Sequence, residues 1–270
     1  MSEVVYKHVE DGVAVITLNR PQRLNAWTTE MEHAYFAMLD ECAASSDVRV
    51  IVVTGAGRGF CAGADMGELQ ALGDGALDDA AMQQRHERRP QSLPLTIPKP
   101  IVAAINGACA GIGLAQALMC DIRFAAAGAK FTTAFARRGL IAEHGTSWML
   151  PRLLGPARAL DLLLSGRVVL AEEAAEMGLV NRVVHPELLL EQTVEYAREL
   201  AVSCSPASMA TMKAQIYADL ERDLSDAVAR ADELMLASFT APDFQEGVTS
   251  FLERRDPHFA AIGAETLQAG

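Results

Sequence analysis

Glu143 stands in the run Gly139-Leu140-Ile141-Ala142-Glu143-His144-Gly145, a lone carboxylate among apolar and small residues. An apolar wall raises a carboxyl group's pKa and makes it a usable proton carrier. Phe135, Ile141 and Trp148 are the nearby residues suited to build that wall. The plainer reading of Glu143 is a solvated helix cap before Gly145. Two glycine-rich stretches offer complementary chemistry: Arg58-Gly59-Phe60-Cys61-Ala62-Gly63-Ala64-Asp65 and Asn106-Gly107-Ala108-Cys109-Ala110-Gly111-Ile112-Gly113. Each follows an apolar, β-branched run that reads as a buried strand, and ligands of open α/β sheets sit beyond such strand ends. The second also opens a helix, whose first N–H groups favour an anion or a developing oxyanion. Brought together, the two loops would form an oxyanion hole for a thioester or other carbonyl. Taken singly, each is only a tight turn.

Other chemistry-bearing residues weigh less. His144 adjoins Glu143 and either orients it or simply begins a helix. His86 lies in an Arg/Glu-rich stretch that reads as a solvated face. Asp65 suits loop fixation better than proton transfer. Gly111-Ile112-Gly113 resembles the start of a dinucleotide fingerprint, but position 116 is Gln where Gly or Ala is needed. The histidines are scattered and form no metal-ligand motif, so no metal is expected. Cys42, Cys61, Cys109, Cys120 and Cys204 are odd in number and match no zinc spacing. They read as reduced thiols, which with a start that is neither signal nor transit peptide implies a cytoplasmic protein.

Elements must position these residues. Val4–Tyr6 and Val13–Leu18 flank an Asp11-Gly12 hairpin signal. Thr28 or Thr29 caps a helix running to Ala44, with Glu32 placed for a capping box. Val48–Thr54, Ile101–Ile105, Asp121–Ala125 and Val180–Val184 read as buried strands, and Lys130–Thr133 as a short one. Ile101–Cys120 is uncharged and about long enough to span a bilayer, but Asn106-Gly107 breaks it into strand, turn and helix. The polar stretch Met66–Pro98 reads as a mobile helical cover for a site. Helices are expected over Glu187–Val202, Pro206–Leu220, Leu224–Phe239 and Pro242–Glu253. That change to all-helix divides the chain into a core over residues 1–200 and a helical segment over 201–270.

The 270 residues bear 35 Asp plus Glu against 23 Lys plus Arg, a formal charge of -12. This balance argues against nucleic acid and against an anionic membrane surface. It leaves room for a small anion held by a local basic cluster.

In order along the chain stand Arg20-Pro21, Leu24-Asn25-Ala26, Phe60-Cys61-Ala62-Gly63-Ala64-Asp65, Lys99-Pro100-Ile101-Val102-Ala103-Ala104-Ile105-Asn106-Gly107 and Met119-Cys120-Asp121-Ile122-Arg123. Leu150-Pro151-Arg152, Arg158-Ala159 and Gly178-Leu179-Val180 follow. Over nearly its whole length this pattern resembles the crotonase superfamily, the enoyl-CoA hydratases and isomerases. The resemblance implies an α/β fold: a crotonase-like spiral of ββα units with a C-terminal helical trimerisation segment. It implies an acyl-CoA ligand, with coenzyme A as part of the substrate and no separate cofactor, and a homotrimer or dimer of trimers. The oxyanion-hole N–H groups would be those of Ala64 and Ile112. CoA contacts map to Arg23, Leu24, Ala26, Ala62, Ala64, Asp65 and Met66; an acidic protein can hold the phosphates this way if a few groups such as Arg20 and Arg23 face them. Gly111, Phe135, Ile141 and Trp148 would line the acyl pocket.

Hydratases of that family hold a water between two glutamates, and the matching positions here are Ala115 and Phe135. Glu143 instead matches the catalytic aspartate of dienoyl-CoA isomerases and ring-opening epoxyphenylacetyl-CoA isomerases. It also matches the nucleophilic aspartate of a chlorobenzoyl-CoA dehalogenase. The expected reaction is a double-bond shift in an enoyl-CoA with Glu143 as proton shuttle. The alternatives are hydration by Glu143 alone, a non-catalytic acyl-CoA binder, and hydrolytic dehalogenation.

Overall fold

The computed structural model describes residues 3–73 and 89–263. The chain opens on an antiparallel hairpin, β1 (Val5–Glu10) and β2 (Val13–Leu18). Asp11 and Gly12 between them have φ of 49° and 78°, the doubly positive turn whose twist matches that of paired strands. The later strands are β3 (Val50–Gly55), β4 (Gly59–Cys61), β5 (Ile101–Ile105), β6 (Ala108–Ala110), β7 (Ile122–Ala126), β8 (Lys130–Thr132), β9 (Val169–Leu170) and β10 (Arg182–Val184).

They form two sheets. The larger has the order β1-β2-β3-β5-β7-β10 and the smaller β4-β6-β8-β9. From β2 onward the large sheet is parallel; in the small one only β9 runs against its neighbour. The chain therefore visits the sheets alternately, β3 then β4, β5 then β6, β7 then β8, and this is the ββα spiral. Every residue of β3 and β5 is buried, which fits their largely apolar composition in the centre of a parallel sheet; the Thr54 hydroxyl donates to the Ala104 carbonyl at 2.9 Å.

Helices join and cover the strands: α1 (Thr29–Ala44), α2 (Met66–Gly73), α3 (Ile112–Leu118), α4 (Thr146–Leu154), α5 (Pro156–Ser165), α6 (Ala171–Met177), α7 (Leu189–Ser203), α8 (Pro206–Asp219), α9 (Leu224–Phe239) and α10 (Pro242–Glu253). Thr28 caps α1 by accepting the Met31 N–H, so Glu32 lies one place too far along for the expected capping box. Its side chain is buried instead. The stretch Ile101–Cys120 divides into β5, β6 and α3, and among the described residues no helix is long and apolar enough to cross a membrane. Of the expected cover, Met66–Gly73 is helical and Leu93–Thr96 is a 3-10 turn. His86, with the charged residues around it, lies outside the described residues.

The C-terminal helices join the core through buried charge. The Lys213 ammonium in α8 donates to the Asp121 carboxylate at 2.7 Å and to the carbonyls of Pro94 and Lys99 at 3.0 and 3.1 Å. The Tyr217 hydroxyl donates to the other Asp121 oxygen at 3.0 Å. Beneath them Lys99 is wholly buried and donates to the Cys42 and Ser45 carbonyls. Loss of water there lowers its pKa to about 8. Further out, α9 buries no residue, and Leu224, Leu236, Phe251 and Leu252 are exposed.

Candidate active site

The two glycine loops leave adjacent strands. β4 pairs in parallel with β6, so Gly59 faces Ala108 and Cys61 faces Cys109. A Cβ on Gly63 would lie 3.4 Å from the Ala110 carbonyl oxygen, and one on Gly111 would lie 3.9 Å from the Gly63 Cα. The loops thus lie side by side at ordinary contact distance, and it is backbone conformation rather than space that calls for glycine at these two positions. Gly63 and Gly111 have φ of 109° and 51°, which turn the chain just before Ala64 and Ile112. Ala64 is held by a parallel bridge to Trp27, in which the Trp27 N–H donates to Gly63 and the Asp65 N–H to Trp27. That pattern leaves the Ala64 N–H without a partner among the described residues. Ile112 is the first residue of α3, and its N–H is likewise unpaired among them. The flanking thiols are no nucleophiles: burial pushes Cys61 up to about 12 and Cys109 well above its ordinary value.

The segment expected to meet CoA is sewn to the first loop. Asn25 is buried; its amide donates to the Ala56 and Gly59 carbonyls at 3.0 and 2.7 Å, and its oxygen accepts the Arg20 N–H at 2.8 Å. Leu24 and Asn25 both adopt positive φ, and the Leu24 carbonyl accepts the Ala62 N–H. Arg20 is engaged within this loop. Its guanidinium donates to the Ala26 carbonyl at 2.5 Å and pairs with Asp65 at 3.0 Å. That hydrogen bond holds the Asp65 carboxyl below the usual carboxylate range. The other Asp65 oxygen accepts the Gly67 N–H at the start of α2, so this side chain fixes the loop. Arg23 remains exposed, Met66 is 63% exposed, and Ala26 and Ala62 are half-buried.

Glu143 lies in the turn that precedes α4. Its carbonyl accepts both the N–H and the hydroxyl of Thr146, at 3.0 and 2.7 Å, which fixes the backbone and leaves the half-buried carboxylate to the side. The His144 Nε2 stands 3.5 Å from that carboxylate. In the preceding turn the Phe135 carbonyl accepts the Leu140 N–H, and the Phe135 ring lies 3.9 Å from where a Gly111 Cβ would be. Phe135 itself is buried, with its ring beside the Gly111 loop. The expected apolar wall is otherwise thin in the single chain. Ile141 is 78% exposed, and Trp148 is half-buried beneath the Arg152 guanidinium, 3.9 Å above its ring.

Ala115 is fully buried and carries no chemistry. Its neighbour Gln116 turns to another side of α3, where its Nε2 donates to Gln91 Oε1 at 2.6 Å. The Gln91 amide donates in turn to Glu32 at 2.7 Å, and the Trp27 indole N–H to the same Glu32 oxygen at 3.3 Å. This buried polar chain escaped the sequence reading, although Glu32 sits on the apolar stripe of α1 with Phe36 and Leu39. A carboxylate on a buried stripe is the signal that was there to find. Among the described residues no group of three or more His, Cys, Asp or Glu is placed to hold a metal.

Comparison with known proteins agrees with this geometry. The family model described as enoyl-CoA hydratase/isomerase matches residues 8–261. A 1,2-epoxyphenylacetyl-CoA isomerase of Escherichia coli is 37% identical, over 96% of this chain and 99% of its own. A probable enoyl-CoA hydratase of Rhodobacter capsulatus is 38% identical, over 93% and 95%. Among solved structures, a probable enoyl-CoA hydratase/isomerase from Mycobacterium abscessus superposes with a TM-score of 0.86 at 30% identity, covering 96% of this chain and 99% of that one. An enoyl-CoA hydratase from Mycobacterium marinum is 51% identical, with a TM-score of 0.70, over 82% of this chain and all of its own. With the ββα spiral, the paired loops and matches over nearly its whole length, the chain belongs to the enoyl-CoA hydratase/isomerase family.

Proposed function

We propose that the chain shifts a carbon–carbon double bond within an enoyl-CoA, with Glu143 as the single proton carrier. The observation that carries this reading is the pair of unpartnered N–H groups, Ala64 and Ile112, on two touching loops. Both donate to the thioester oxygen. As Glu143 removes a proton from a carbon conjugated with the carbonyl, the electron pair moves towards that oxygen. The enolate's charge grows where the two donors stand, which lowers the barrier. The protonated Glu143 then returns its proton to a different carbon of the same conjugated system, and the double bond has moved with no net loss of atoms. Hydration would need a water held and activated as well. Ala115 and Phe135 supply no acid or base for that.

A second reading is supported by the Rhodobacter relative, whose name is that of a probable hydratase: Glu143 activates water alone. Purified protein assayed on matched 2-enoyl-CoA and 3-enoyl-CoA substrates, beside Glu143→Gln, separates the two. Conversion of the 3-enoyl substrate without hydration, abolished in the variant, is the expected result. Robust hydration of the 2-enoyl substrate would replace the isomerase reading by the hydratase one. No turnover in the wild type, with CoA thioester still bound, would make this a binding protein.

CoA itself is read onto Arg23, Leu24, Ala26 and the Ala62–Met66 stretch, with Arg23 as the phosphate-facing cation. The exposed apolar residues of α9 and α10 fit burial in a homotrimer, which leaves trimers free to pair. A cytoplasmic setting suits the five free cysteines.

A further inference from the structure

We propose that His144 is a positioning residue for Glu143: its imidazole Nε2 holds one carboxylate oxygen and so aims the other at the substrate. The inference rests on the reading of Glu143 as proton carrier given above. Residues 143–146 form a tight turn, closed by the Thr146 N–H donating to the Glu143 carbonyl at 3.0 Å. His144 and Gly145 at its centre have φ of 56° and 78°. Two positive φ values in succession are those of a type I′ turn, whose central positions favour glycine, asparagine and aspartate. Gly145 meets that demand. His144 instead keeps a Cβ in the left-handed region, where glycine alone is unstrained. A strained residue of this kind beside a reacting group points to a task for its side chain.

What the position gains is a contact that regular backbone denies. Adjacent side chains point to opposite faces of a strand and to different sides of a helix, so residues next to one another in sequence do not meet. In this turn they do: the His144 Nε2 stands 3.5 Å from the Glu143 Oε2, and both side chains are half-buried. That separation is longer than a formed hydrogen bond, as is common for contacts of catalytic groups before substrate binds. Tethering Oε2 leaves Oε1 to take the proton and give it back. It also removes rotamer freedom from a long side chain, freedom that must otherwise be lost on the way to the transition state.

The test measures kcat and KM of the wild type, His144→Gly, His144→Gln and Glu143→Gln on 2-hexenoyl-CoA and 3-hexenoyl-CoA, with a thermal melt of each protein. His144→Gly suits the turn better than the native residue, so its melting midpoint should match or exceed that of the wild type. Its kcat should nonetheless fall about 10-fold to 100-fold, the effect of losing alignment at a reacting group, with KM changed by no more than about twofold. His144→Gln carries the same backbone strain but sets an amide N–H about where Nε2 stands, and should return kcat to within about threefold of the wild type. A His144→Gly kcat within about twofold of the wild type, with Glu143→Gln inactive, overturns the inference and leaves Glu143 as the proton carrier. A loss in His144→Gly that His144→Gln does not restore overturns it too, since the imidazole is then no mere donor to the carboxylate. Turnover that survives in Glu143→Gln, or is absent from the wild type, removes the proton-carrier reading and this inference together.

Discussion

Gly113→Ala tests whether the spacing of the two loops sets the rate. A Cβ at this position would lie 2.2 Å from the Cys61 carbonyl oxygen and 2.7 Å from the Cys61 Cβ. Real Cβ contacts stop near 3.0 Å, so β4 must retreat from α3 by about 0.8 Å. The nearest atom is backbone, and no change of rotamer relieves the overlap. Overpacking of this kind costs about 1–3 kcal/mol, which a thermal melt will register. The same retreat carries Ala64, three residues beyond Cys61, away from the thioester oxygen. Loss of alignment by 1 Å costs about 100-fold in rate, and outright loss of one oxyanion donor about 100- to 1,000-fold. A fall in kcat of about 100-fold is therefore expected on whichever enoyl-CoA the wild type converts. Val52→Ala, a cavity in the buried centre of β3, is the control for destabilisation alone. If kcat of Gly113→Ala stays within about threefold of that control, the argument that interloop spacing governs the hole is wrong.

Lys99 gives a pH signature. Its folded-state pKa of about 8 lies below the value of an unfolded lysine, so the folded chain releases this proton first. The cost of burying the ammonium is fully present below about pH 8 and is relieved as pH rises from there towards about 10.4. Denaturant titrations should show wild-type stability, measured relative to Lys99→Met, rising through that window; a flat difference would refute the depressed pKa. For the assembly, Phe251→Glu places a charge on a side chain that is 82% exposed in the single chain. Light scattering should find trimers in the wild type and smaller species in the variant, whereas a monomeric wild type would dismiss the trimer.

The hairpin and the four C-terminal helices were legible because their signals are local. Asp11-Gly12 is a turn by itself, and Pro206, Leu224 and Pro242 open their helices where Ser205, Asp223 and Ala241 cap or precede them. β4, β6 and β9 were not legible. Two or three residues show no alternation, and these strands exist only because a neighbouring strand pairs with them. The same limit applies in the site. The convergence of Ala64 and Ile112 was foreseen as a possibility of the glycine loops, yet what fastens it, Asn25 at positive φ and Arg20 on Asp65, depends on partners 31 to 45 residues away. Arg20 read as a candidate cation for phosphate because its acid is distant in sequence. Ile141 read as wall because it is apolar, whereas packing leaves it exposed in the single chain.

The two N–H groups proposed as oxyanion donors belong to loops that leave neighbouring strands of one small sheet. Their separation is inherited from strand pairing, which holds backbones about 4.8 Å apart whatever the side chains. Glu143, the proposed proton carrier, is by contrast an ordinary side chain in a turn outside that sheet. The two halves of the site can therefore change independently during evolution. On the proposed mechanism, substitutions that move a carboxylate among residues 115, 135 and 143 would alter which bond is made or broken without rebuilding the place where charge is stabilised. A fold organised in this way offers a lineage many reactions that share one intermediate, each a few substitutions from the next.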